Sequence, residues 1–139
     1  EEETRARDRR LAAQQQKEKL KQEQKIADQN LLRIYSTPED VIRARDTKIT
    51  SIDNFIRTSQ GNLQRLESQK RNLESTLANI ERAGGTIPED PLNRIRHVEI
   101  RIRTTEREII EKRTEMKALE KSFATDLQRL KQLYGAREG

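Results

Sequence analysis

Apolar residues recur at alternating three- and four-residue steps through two long stretches of the chain. Counting from Ile42 gives Ile42, Arg45, Ile49, Ile52, Ile56, Ser59, Leu63, Leu66, Lys70, Leu73, Leu77 and Ile80, of which nine of twelve are apolar. Counting from Ile95 gives Ile95, Val98, Ile102, Thr105, Ile109, Lys112, Met116, Leu119, Phe123, Asp126, Leu130 and Leu133. In this second series the first member of every heptad is apolar, six times out of six. A 3.5-residue spacing held for so long predicts helices that pair along a narrow seam, as in a coiled coil, rather than amphipathic surface helices.

Between the two series lies Glu81-Arg82-Ala83-Gly84-Gly85-Thr86-Ile87-Pro88-Glu89-Asp90-Pro91. Gly84 or Gly85 can take the left-handed conformation that ends a helix. Pro88 and Pro91 suit the first turn of the next one, where a missing amide proton costs little. The expected fold is all-α: a long antiparallel two-helix coiled-coil hairpin over 36–134, with an additional charged N-terminal helix. Its first arm spans 38–83, its tip 84–87 and its second arm 88–134. At 1.5 Å per residue each arm would be about 70 Å long.

A reversal near residue 86 requires facing residues to have nearly constant number sums. Ile42/Leu130, Ile49/Phe123, Ile56/Met116, Leu63/Ile109 and Leu77/Ile95 all sum to 172, and Ile52/Leu119 and Leu73/Val98 to 171. This register sets Arg45 opposite Asp126 as an ion pair. It also sets Ser59 opposite Lys112, with Gly61 nearby, and predicts looser packing there; a tolerated surface glycine is the favoured account of Gly61.

Residues 1–35 read as a charged, Gln-rich helix or tether that frays before about residue 15, with a disordered leader as the alternative. Ser36-Thr37-Pro38-Glu39-Asp40 then signals a helix start: Thr37 caps, Pro38 takes the first helical position, and Asp40 sits three residues after the cap. Residues 135–139 read as a helix stop and a disordered tail.

Composition narrows the class. The chain has 139 residues, 31% hydrophobic, 38% charged and 3% aromatic. That is too little apolar matter for an ordinary globular core and suits an elongated helical assembly. The net charge of +5 comes from 29 basic residues interleaved with 24 acidic ones, which permits a polyanionic partner without requiring one. Cysteine is absent, so disulfides and thiol chemistry are excluded. No apolar run approaches the ~20 residues of a membrane span. The chain opens on Glu1 rather than Met, the expectation for a processed or truncated product.

Val41, Phe55, Ile100, Ile110, Leu127 and Tyr134 fall off the seam, and Leu31, Leu32, Ile34 and Tyr35 gather at the open end. Either the N-terminal helix folds back over that end, or two hairpins pair as a homodimer. The dimer is the expected arrangement, with another protein as the further class of partner.

No catalytic, cofactor or metal constellation stands out. His97 is the single histidine and lies outside the seam, and Gly84-Gly85 lacks the strand and Lys-Ser/Thr of a phosphate loop. Arg94, Arg96, Arg101, Arg103 and Arg107 form a local basic excess near the tip. They are the candidate polyanion contacts, but no aromatic is interleaved for base stacking. A solvated face with intrahelical ion pairs is the expected account.

The order of signals resembles a group of uncharacterised bacterial coiled-coil proteins. The shared elements are an apolar pair (Leu31-Leu32), the Thr37-Pro38-Glu39-Asp40 cap and the Ala44-Arg45-Asp46 run. The Glu81-Arg82-Ala83-Gly84 turn with Pro88 follows, and then Phe123 with Asp126. The resemblance covers about 30–134. It implies export to a periplasm or cell envelope and no particular activity. The expected function is a non-enzymatic spacer or protein-docking and oligomerisation module that needs no cofactor, with electrostatic nucleic-acid binding through the second-arm arginines as the alternative.

Overall fold

A computed structural model describes residues 1–138. Every regular element among them is an α-helix: α1 (Glu2–Ile34), α2 (Pro38–Arg82) and α3 (Glu89–Glu138). The fold is all-α with three helices.

The breaks follow from local chemistry. After Ile34, Tyr35 is extended, and its amide still donates to the Leu31 carbonyl. The start of α2 is a reciprocal cap. The Asp40 amide donates to Thr37 Oγ1 (3.3 Å), while the Asp40 carboxylate accepts from the amides of Thr37 (3.0 Å) and Ser36 (3.1 Å). These bonds satisfy donors that a helix start otherwise leaves orphaned. Arg43 adds an ion pair to the same carboxylate. The Asp40 pKa is lowered, first by Arg43 and then by the Thr37 amide.

At the far end of α2, the Gly85 amide donates to the Ile80 carbonyl and the Gly84 amide to that of Glu81, both at 3.0 Å. Gly84 has φ +77°. The 6→1 and 5→2 bonds with a left-handed residue between them are a Schellman stop. A side chain at Gly84 would be strained there, while one at Gly85 would press on Ile80 at 3.3 Å. Helix α3 begins at Glu89, with Pro91 in its first turn.

The C-terminal residues differ from expectation. Helix α3 continues through Gly135 to Glu138 instead of stopping at a tail. Gly135 does not have the positive φ of a helix stop, and a helical glycine costs only about 1 kcal/mol relative to alanine. Gly139 lies outside the described residues. At the other end, α1 is helical from Glu2, so the expected fraying before residue 15 is not seen.

The chain forms two compact units. The first takes Glu1–Arg45 and Ser122–Gly139, the second Asp46–Lys121. In the first unit Leu130 and Val41 are fully buried, at 0% and 1% exposure, and Phe123 is buried as well. Val41 falls outside the heptad series yet is covered within the chain. Helix α1 has no buried residue. In the second unit Ile52 and Ile56 of α2 cluster with Ile109 of α3, and Leu63, Met116 and Leu119 pack against them. Leu66, Leu77 and Val98 are buried too.

Candidate functional site

Contacts between α2 and α3 in the second unit define its two faces. Lys112 Nζ lies 5.2 Å from the centre of the Phe55 ring. Lys70 Nζ lies 3.8 Å from both Glu74 and Glu99, one on its own helix and one on the other. As α2 numbers rise from 55 to 70, their α3 partners fall from 112 to 99. The number sums are 167 and 169, two to five below the 171–172 expected. Helical side chains lean towards the N-terminus of their own helix, so a Lys112–Phe55 contact at the expected offset would be out of reach. The face carrying Lys70, Glu99, Ile102 and Arg103 is charge-compensated by the Lys70 bridges.

The other face is compensated only at its end, where Arg94 meets Asp90. Two shallow hollows share Gln69, Asn72 and Arg101 and form one groove along α2 and α3. Arg65 and Asn62 line one end, Arg94 and His97 the other. None of the lining residues is acidic. Arg65 donates to Asn62 Oδ1, and Arg94 makes a 3.4 Å exposed bridge to Asp90. Gly61 also lines the groove; a Cβ there would meet nothing within 4 Å, in line with a tolerated surface glycine.

The five arginines singled out from the sequence therefore separate. Arg94 and Arg101 share the groove with Arg65, which composition alone did not single out. Arg103 lies on the compensated face, and Arg96 and Arg107 line neither hollow of the groove. The tip residues Gly84, Gly85 and Pro88 are exposed.

In the first unit, Arg129 grips Asp28 with two parallel bonds, Nε to Oδ1 at 2.8 Å and Nη2 to Oδ2 at 2.7 Å. Gln24 donates to Asp28 Oδ1 at 2.8 Å. The Arg129 hydrogen bonds, with help from Gln24 and against partial desolvation, hold the Asp28 carboxyl below its usual range, and Asp28 raises the pKa of Arg129 in return. The Tyr134 hydroxyl donates to the Ser36 carbonyl. Nothing in the heptad pattern marks Asp28, which sits on a helix without a continuous apolar stripe. Arg45 and Asp126, the pair expected from the sequence, are both half-buried.

Among the described residues three titratable groups have shifted pKa values, Asp28, Asp40 and Arg129. An ion pair and a helix cap account for all three. Among the described residues no group of three or more His, Cys, Asp or Glu could hold a metal, and no helix is long and apolar enough to cross a membrane. The chain matches no protein-family model, no curated protein and no solved structure.

Proposed function

We propose that the chain is a non-enzymatic structural module. In it α2 and α3 pair as an antiparallel coiled-coil hairpin, and α1 carries the surface for docking and self-association. One observation carries this reading. All twenty-four positions of the two heptad series are buried or half-buried, the polar Arg45, Ser59, Lys70, Thr105, Lys112 and Asp126 included. Two helices meeting along one seam account for that pattern, since the seam position and not the side-chain type decides burial. The opposite running order of the Phe55–Lys112 and Lys70–Glu99 contacts supports the antiparallel sense.

Helix α1 supplies what a docking element needs. It has 33 residues and no buried one, and Leu11, Leu20, Ile26 and Ile34 are exposed along it. Isolated helices in water are marginal, and most helical stability comes from packing a face. A second copy packed against α1 would cover Leu20 and Ile34, which are fourteen residues apart and fall on the same side of the helix. Light scattering over a tenfold concentration range tests this. A mass of twice 16.3 kDa that falls to the single-chain value for Leu20→Lys/Ile34→Lys is the expected result. A single-chain mass throughout would overturn self-association and leave a different protein as the occupant.

A further inference from the structure

We infer that the groove between α2 and α3 of the second unit binds the phosphate backbone of a nucleic acid through Arg65, Arg101 and Arg94. Three observations converge. The groove holds three guanidinium groups and no carboxylate in its lining, in a chain with 24 acidic residues, and only Arg94 is bridged, to the exposed Asp90. The opposite face, with Lys70 bridged to Glu74 and Glu99, has its charge matched internally, so the basic excess belongs to one side. Arg101, at the middle of the groove, has no ion pair among the described residues and is exposed.

The lining favours a phosphate backbone over a partner helix. A docked helix needs apolar surface to bury, and of the three aliphatic residues that line the groove Leu66 and Val98 are already buried, which leaves only the half-buried Leu73. Uncharged polar side chains make up most of the rest, Asn62, Gln64, Ser68, Gln69, Asn72 and Thr105. Amide and guanidinium groups suit phosphate and sugar oxygens, and planar arginines pair with phosphate in bidentate fashion. No Phe, Tyr or Trp lines the groove and the single ring there is the His97 imidazole at one end, so there is no run of stacking platforms and the contact reads backbone rather than sequence.

The test is fluorescence anisotropy of a labelled thymidine oligonucleotide of about 20 residues with the full chain. Three phosphates neutralised on a single strand give a log–log salt slope of about −2, or roughly 18-fold weaker binding at about 200 mM than at 50 mM salt. Arg65→Gln/Arg94→Gln/Arg101→Gln should lose at least about tenfold in affinity and most of that slope. Arg96→Gln/Arg103→Gln/Arg107→Gln removes the same charge outside the groove and should bind within about twofold of the parent. All six arginines lie at exposed positions, and circular dichroism of each variant checks that helicity is kept. An adenine oligonucleotide should bind like the thymidine one. Equal losses in the two triple variants would overturn the proposal in favour of general surface charge. Polyglutamate competing as well as the oligonucleotide would overturn it in favour of an acidic peptide.

Discussion

Ile109 and Ile110 are consecutive residues of α3 with opposite environments. Ile109 is 6% exposed within the cluster of Ile52 and Ile56, and Ile110 is 63% exposed. Replacing each with alanine removes the same three carbons and changes helix propensity equally, so the difference between the two variants isolates packing. At about 0.8 kcal/mol per buried methylene, Ile109→Ala forfeits about 2.4 kcal/mol of transfer energy. The cavity left beside Ile56 raises this towards 3–4 kcal/mol, inside the range of about 2–5 for such truncations. Ile110 keeps about a third of that burial, roughly 0.9 kcal/mol, and alanine returns about half a kcal/mol of helix propensity. Its net change is therefore below about 0.5 kcal/mol. At about 4 °C per kcal/mol for a chain of this size, Ile109→Ala should lower Tm by more than 10 °C and Ile110→Ala by about 2 °C or less. Thermal and urea unfolding followed by circular dichroism reads both. Equal losses would refute the assignment of Ile109 to the face that α2 covers. A larger loss at Ile110 would reveal a covering chain on the other side of α3.

Three further perturbations probe the caps, the register and the ion pair. Thr37→Ala removes the side-chain half of the α2 cap and should cost about 1 kcal/mol in urea unfolding; a change under a few tenths would mean the Asp40 carboxylate alone fixes the helix start. Engineered cysteines report the register: Leu66→Cys/Ile102→Cys should form a disulfide under mild oxidation faster than Leu66→Cys/Thr105→Cys, and the reverse order would restore the 171–172 alignment. For the pair of Asp28 with Arg129, the folded carboxyl pKa is depressed, so its contribution is present above the ordinary carboxylate value of about 3.9 and is lost as pH falls through the folded value. Asp28→Asn should therefore lower Tm at pH 7, and its gap from the parent chain should close below about pH 4; a gap independent of pH would show that the amide disturbs packing rather than charge.

The parts of the fold that were legible in the sequence are those set by local chemistry or by helical period. Thr37, Pro38 and Asp40 mark a helix start through backbone valence alone, and Gly84 marks a stop because only glycine is at ease at φ +77°. The two long helices were legible because a 3.5-residue period holds in both series, whose positions are all buried or half-buried. Three features were not. Gly135 offered a stop that the backbone does not take. Val41 lies off the period, yet it is buried where α1, the start of α2 and the end of α3 share one unit. Asp28 and Arg129 are 101 residues apart, and a polar pair at that separation leaves no periodic trace.

In the proposed hairpin, period and partner are different kinds of information. A number sum of 172 and one of 168 keep the same residues on the seam, because a slip of half a heptad exchanges the two kinds of seam position. Hydrophobic pattern alone cannot separate them, but the long side chains can. Phe55 with Lys112 and Lys70 with Glu99 average 168. At that value, within the second unit, Ser59 stands level with Ile109, Lys70 with Val98, Thr105 with Leu63 and Lys112 with Ile56. The expected alignment instead set Ser59 against Lys112, two polar groups in one layer. With the slip every polar seam residue of this unit meets an apolar one, and the long side chains lay their stems across it while their charged ends reach Glu74, Glu99 or the Phe55 ring at the edge. A layer of two polar groups would bury no apolar surface on either helix, and any group in it left unpaired would cost about 1–3 kcal/mol. The polar residues therefore select the register that the apolar ones leave open.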